Sequence, residues 1–420
     1  MKRLSLLVIL LSLPLSGVCA RQKNVGPSVV KPGIEVLREQ GFEAIAGKRV
    51  GLVTNPSGVD RNLKSTVDIL FEAPEVNLVA LFGPEHGVRG DVYAGVKVMD
   101  SVDSKTGLPV YSLYGSTRKP VPEMLDSIDV MVYDIQDVGV RSYTFISTLG
   151  LVMEACAQRG IGVVVLDRPN PLGGNKIEGC YVEQPFNSFV SQYRIPYVYG
   201  LTVGELAVLI NEEGLNRGQK GDQEPVKCAL TVVPMQGWKR SMLYEDTGLP
   251  WVLPSPNIPF KDSPMYYAAS GICGELYGFM NIGVGYTLPF QVFGATWLDP
   301  HALISELEGL EGVSFRPIWY KPFAGSLKGQ LVAGLQFFFT DYEKARITEV
   351  QFHVMQAVAE LYPDKKAFEV IDRYGLFDKV CGTDYVRNEF CKGYRFDDIR
   401  DYWRKDEASF RDLSQKYHIY

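Results

Sequence analysis

Chemistry-bearing residues concentrate in the stretch Leu81-Phe82-Gly83-Pro84-Glu85-His86-Gly87-Val88-Arg89-Gly90. There an apolar run from Val76 to Phe82 stops at a glycine-punctuated turn holding a carboxylic acid, an imidazole and a guanidinium. Two further segments repeat the arrangement. In residues 129–141, Asp134, Asp137 and Arg141 follow a Val-Met-Val run; in residues 161–171, Asp167, Arg168 and Asn170 follow Val-Val-Val-Leu. Ligands of open parallel sheets sit at the carboxyl ends of the strands, so three such ends predict one polar pocket along a common edge. A single acid after a strand is as often a cap or turn former; the convergence of three points to a site. His86 is one of only 4 histidines and the only one inside such a motif, which makes it a candidate base beside its commoner structural role.

Carboxylates mixed with arginines and aromatics are what a saccharide site needs. Breaking a glycosidic bond takes one carboxylic acid to protonate the leaving oxygen and a second group to assist the anomeric centre. Glu85 is the better acid, because its glycine-bounded turn lets backbone and side chain approach a ligand closely. Asp137 and Asp134 compete for the second role, with the alternative that one merely orients the other or neutralises Arg141. Each of Arg89, Arg141 and Arg168 either neutralises a neighbouring acid or, if free, holds a substrate carboxylate in its planar fork. Asp167, Asn170, Tyr143, Tyr199 and Asn257 are candidate substrate-binding liners. Tyr277 and Asn281 lie in the glycine-rich stretch from Gly274 to Thr287, which would shape the cleft from a second domain.

Other chemistries lack their parts. No GxGxxG opens a helix after a strand, no GxxxxGK[ST] is present, and no GxSxG elbow occurs. Glu85, His86, Asp134 and Asp137 show no recognised ligand spacing, so neither a metal nor a cofactor is expected.

The elements that must position these residues alternate along the chain. Strands are expected at residues 48–55, 76–82, 108–113, 129–135, 161–167 and 227–234, with helices at 33–41, 64–72, 121–127, 144–159 and 202–213. Such alternation means right-handed crossovers and an α/β fold: a Rossmann-like, doubly wound, mostly parallel sheet. Dense proline from Leu249 to Pro259 cannot continue a helix or a central strand. It separates a Rossmann-like catalytic domain, residues 26–258, from a smaller C-terminal α+β domain, residues 259–420, that completes the cleft. In the latter, a helix near 301–309, strands at 313–320 and 330–340 and a helix over 343–361 are expected.

Residues 1–20 read as a secretory signal peptide cut near Ala20; acylation of Cys19 as a lipoprotein is the less favoured alternative, because Val18 suits that cleavage poorly. Export to the periplasm follows, and no later apolar run is long enough for a membrane span. Removing Lys2 and Arg3 leaves 41 basic against 49 acidic residues, a charge that makes nucleic acid an unsuitable partner. Export permits disulfides, and Cys381 with Cys391 is the candidate pair, although a chain this long does not require one.

Four motifs in fixed order, Thr54-Asn55-Pro56-Ser57-Gly58, Gly83 to Gly90, Tyr133 to Thr144 and Leu166 to Pro171, resemble the bacterial exo-β-N-acetylmuramidase family, long catalogued as a domain of unknown function. Residues 274–287 and 377–382 fit the same family, so the resemblance spans nearly the whole mature chain. It implies a cleft between two domains, release of terminal N-acetylmuramic acid from non-reducing ends of peptidoglycan fragments without a cofactor, Glu85 as the catalytic residue, and Asn55 among the site motifs. Two rival expectations use the same features: a silent saccharide-binding protein with a two-domain cleft, and a peptidoglycan amidase or esterase, for which no convincing nucleophile is present.

Overall fold

The computed structural model describes residues 29–90, 101–216 and 224–420. The expected signal peptide, with Cys19 and Ala20, lies outside the described residues.

The first unit is built on seven strands: β1 Arg49–Thr54, β2 Asn77–Gly83, β3 Ser101–Val102, β4 Pro109–Ser112, β5 Val130–Asp134, β6 Gly162–Leu166 and β7 Leu230–Val233. Their order is β3-β4-β2-β1-β5-β6-β7, with every pairing parallel except β3 with β4. Without the short antiparallel β3, this is the doubly wound order in which winding reverses beside the first strand, between β1 and β5. The apolar runs are continuous because both faces are covered. Val50, Leu52, Val130, Val132, Val164 and Leu166 pack on one face with α1 Gly33–Glu39 and α2 Thr66–Glu72; Val53, Met131, Tyr133, Val163 and Val165 pack on the other. Past α3 Pro122–Leu125, that second face is covered by α4 Phe145–Gln158 and α5 Val203–Glu213. A capping box at Thr202 and Glu205 opens α5.

The second unit opens with α6 Ser263–Gly274, then β8 Val292–Ala295, α7 Pro300–Glu306, β9 Val313–Tyr320, β10 Val332–Phe339 and α8 Val350–Leu361. Its sheet is antiparallel, ordered β8-β10-β9. Two expectations change here. The glycine-rich stretch begins inside α6, where Gly274 lets Ile282 approach so closely that a Cβ would lie 2.4 Å from its Cδ1. The helix expected from residue 343 starts at Val350, after a single 3-10 turn at Ile347–Glu349.

Short helices, α9 Ala367–Val370, α10 Gly375–Cys381, α11 Tyr385–Gly393, α12 Asp397–Arg404 and α13 Glu407–Ser414, bring the chain back to the first unit. Phe410 joins the first unit's core, and the hydroxyl of the final residue, Tyr420, donates to Asp167 at 2.7 Å. Val138, Val140, Leu172 and Tyr197 in turn share the core of α6 and α8, so the two units are fused by packing. The six cysteines of the described residues are free thiols, Cys381 and Cys391 among them. No described helix is long and apolar enough to cross a membrane.

Candidate active site

The carboxyl edge of the large sheet gathers the loops after β1, β2, β4 and β5. Gly58 stands where winding reverses, and a Cβ there would meet Thr54 Oγ1 at 2.2 Å and the Asp134 carbonyl at 2.8 Å. After β2, the chain doubles back through His86 and Gly87, both left-handed with φ of 76° and 78°, which turns Glu85 outward while burying His86. A non-glycine residue in that region stores local strain of the kind found at functional turns.

Glu85 is half-buried. The Tyr114 hydroxyl, from the loop after β4, donates to its carboxylate, and this contact with burial pushes the Tyr114 phenol up to about 12. Tyr114 is held beside Glu85 because the Leu113 N–H donates to the Gly83 carbonyl at 2.8 Å. Asp137, beyond β5, is 6% exposed. Its Oδ2 accepts from the Tyr199 hydroxyl and, at 2.8 Å, from the Gly139 N–H, while Oδ1 is buried without a partner. Burial pushes its carboxyl up to about 6 against those donors. Burial pushes the Tyr267 and Tyr143 phenols upward, and the charges of both Glu85 and Asp137 add to it, which places the two acids around the same pair of rings. Those rings meet edge to face at 5.8 Å, and Tyr267 shares a 2.9 Å hydrogen bond with Ser142.

Several expected site residues serve the fold instead. Asp134 is fully buried and held by both oxygens to Arg168, with a third bond from Thr66, so neither Asp134 nor Arg168 faces a substrate. Arg141 is also fully buried; its guanidinium donates to the carbonyls of Cys180, Ile195, Val380 and Cys381 at 2.6 to 2.9 Å and pins the returning C-terminal helices to the first unit. Arg89 pairs with Asp103 at 2.8 Å and holds that carboxyl down at about 2. The expected arginine clamp is therefore absent from all three positions.

Asp167 shows why a raised carboxyl alone does not mark a catalytic group. Burial pushes it to about 6, as in Asp137, but its oxygens are saturated by Thr202, Tyr420 and the N–H groups of Arg168 and Gly204. Asn170 bonds the Leu201 carbonyl and the Leu172 N–H, shaping a turn. Asn55 bonds Ser57 and the Pro254 carbonyl, tying the β1 loop to the proline-rich boundary. Asn281 is spent on Gly283, Val284 and Tyr320. Tyr199 acts behind Asp137 rather than on a ligand. Of the remaining liners, Tyr143 keeps a buried hydroxyl without a hydrogen bond, Asn257 is half-buried, and Tyr277 is 75% exposed.

The structure adds residues that the sequence reading missed: Tyr114, Tyr267, Glu275 and Arg118. Arg118 follows Tyr114 in the same loop, stacks its guanidinium 4.4 Å over the Phe189 ring, and has no ion pair among the described residues. Its charge acts on the Tyr114 phenol, so a cation stands beside the Glu85 end of the cleft. A loop arginine in sequence carries no mark of this. No group of three or more His, Cys, Asp or Glu among the described residues is arranged to hold a metal.

Comparison with known proteins agrees with this architecture. A family model described as exo-β-N-acetylmuramidase NamZ, N-terminal, matches residues 50–262, and its C-terminal counterpart matches residues 265–420. The peptidoglycan β-N-acetylmuramidase NamZ of Bacillus subtilis is 43% identical over 393 residues, 93% of this chain and 91% of that protein. A crystal structure of a DUF1343 family protein from Bacteroides fragilis superposes with a TM-score of 0.88 at 54% identity, covering 93% of this chain and 99% of that one. A second DUF1343 protein from the same organism gives 0.73 at 29% identity, covering 94% and 99%. With both family models matched in order and a relative at this identity over nearly its full length, the chain belongs to the exo-β-N-acetylmuramidase NamZ family.

Proposed function

We propose that this protein is an exo-acting glycosidase that releases terminal N-acetylmuramic acid from the non-reducing ends of peptidoglycan fragments. The observation that carries the reading is that Glu85, bonded by Tyr114, and Asp137, whose Oδ1 is left without a partner, both act on the same two rings, Tyr143 and Tyr267. Glu85 donates its proton to the glycosidic oxygen as the bond breaks, and the Tyr114 hydroxyl then stabilises the carboxylate that remains. Asp137, its Oδ1 buried and unpaired, supplies negative charge to the positive charge developing at the anomeric centre, while Tyr199 and Gly139 fix its orientation.

Muramic acid differs from glucosamine by a lactyl ether ending in a carboxylate. The chain is net acidic, so binding that anion requires a local cation. Arg118 supplies it, pre-positioned by Phe189. Export to the periplasm, supported by the N-terminal sequence pattern and by the location of the substrate, is part of the same proposal.

Release of free N-acetylmuramic acid from a chromogenic muramic-acid glycoside tests the reading. Binding without turnover would favour the silent saccharide-binding protein, and release of a peptide or acetate instead of a sugar would favour the amidase or esterase.

A further inference from the structure

A cavity of about 320 Å³ in the second unit takes no part in the proton transfer above. Met280, Ile282 and Phe290 give it carbon-rich walls, Tyr277 stands at its mouth, and no lysine, arginine or histidine is among its lining residues. Tyr267 is part of the same wall and reaches across to Ser142, five residues beyond Asp137, so the cavity adjoins the catalytic cleft. Its charged group is Glu275.

Glu275 sits where the fold gives a carboxylate no help. It caps the C-terminus of the 12-residue α6, the negative end of the helix dipole. Its carboxyl has no hydrogen bond or ion pair among the described residues, and burial alone pushes it up to about 7. Unlike Asp134, Asp167 and Asp103, it has no cation or donor set to repay its burial. An acid kept against local preference beside a cleft marks a place where a ligand supplies the missing partner.

The chemistry of that ligand follows from the walls. An anion is repelled by Glu275 and finds no cation here. An acetamido group fits: its N–H donates to a carboxyl oxygen, its methyl needs an apolar wall, and the pyranose that carries it rests on an exposed aromatic ring. We propose that this cavity is the subsite for the acetamido group of the substrate, with Glu275 accepting the N–H, Met280, Ile282 and Phe290 enclosing the methyl, and Tyr277 supporting the sugar ring. This rests on the saccharide reading of the cleft and deepens it: Glu275 is a specificity residue that separates 2-acetamido sugars from their 2-deoxy analogues.

The test uses the full chain in a Glu85→Gln background, so that binding is measured without turnover. N-acetylmuramic acid and its 2-deoxy counterpart, which lacks the acetamido group, are titrated calorimetrically into that protein and into the same protein carrying Glu275→Leu or Glu275→Gln. Loss of a hydrogen bond to a charged group weakens binding about tenfold or more. Glu275→Leu is expected to weaken the acetylated sugar by that factor and to narrow the preference for it correspondingly, whereas Glu275→Gln, which keeps an acceptor oxygen, retains most of the preference. An unchanged preference in both variants overturns the subsite. Failure of the parent Glu85→Gln protein to bind either sugar overturns the saccharide reading itself, which is a different result.

Discussion

The Tyr199 hydroxyl and the Gly139 N–H both bond to Oδ2 of Asp137, leaving Oδ1 buried and unpaired at the carboxyl edge of the sheet. A buried carboxylate usually has both oxygens satisfied, as in Asp134 and Asp167, and an orphaned polar atom is costly. Under the proposed mechanism, the cost falls where the reaction develops charge.

The open oxygen sets a pH dependence. With its carboxyl pushed up to about 6, Asp137 is ionised only above that pH, so kcat/KM should fall as pH drops through about 6. Stability runs the other way. The folded state binds this proton more tightly than the unfolded chain, so the contribution is full below about pH 4 and is lost as pH rises through 6, on the order of 3 kcal/mol. Asp137→Asn should remove both the acidic limb and this part of the stability profile, as measured by pH-rate kinetics and urea unfolding. An acidic limb that survives in a folded Asp137→Asn enzyme would assign it to another group.

Glu85→Gln keeps the shape of the side chain but has no proton to give. Turnover should drop about a hundredfold to ten-thousandfold with sugar binding nearly intact. Tyr114→Phe removes only the bond to the resulting carboxylate and should cost about tenfold in kcat. Steady-state kinetics on a muramic-acid glycoside decides both, and wild-type turnover by Glu85→Gln would remove it as the acid.

Arg118→Met should narrow the preference for muramic-acid over N-acetylglucosamine substrates about tenfold or more, through a higher KM for the former. Arg89→Met should leave that preference unchanged, because its charge is spent on Asp103. Equal discrimination by wild type and Arg118→Met would place the lactyl recognition elsewhere.

Arg168→Met tests the structural assignment of an expected site residue. It strands the Asp134 carboxylate, 0% exposed, without its counter-ion and should cost about 3–5 kcal/mol. Chemical denaturation measures this directly. A folded variant of unchanged stability would contradict the buried-pair account.

Glu275→Gln should stabilise the protein above neutral pH. The carboxyl is raised to about 7, so its favourable contribution is complete below about pH 4 and is lost as the pH climbs through 7. A thermal midpoint at pH 8 that rises in the Gln variant, with little difference at pH 4, is the expected result.

The period of the sequence determined much of this protein. Runs such as Val-Val-Val-Leu before Asp167 are apolar at every position because strands of a covered parallel sheet have no wet face, and their alternation with helices left the doubly wound fold as the consistent solution. The glycine-bounded turn that carries Glu85 was legible for the same local reason. Even the fate of Asp134 is partly written in strand parity: it shares a face with Val130 and Val132, so it points beneath the helices, whereas Asp137 lies past the strand and is released from that rule.

Only the tertiary structure decided which polar groups remained open. Asp134 is closed by Arg168, 34 residues on, and Asp167 by Tyr420, 253 residues away, and no local pattern encodes such pairings. Arg141 and Arg118 are both arginines in loops after strands. One is buried against carbonyls 240 residues distant, while the other is exposed and stacks on Phe189. Glu275 was hidden because Gly274, which opens the glycine-rich stretch, ends a helix packed against Ile282. Local propensity fixes where a side chain leaves the backbone; whether it is satisfied depends on what long-range packing brings to it.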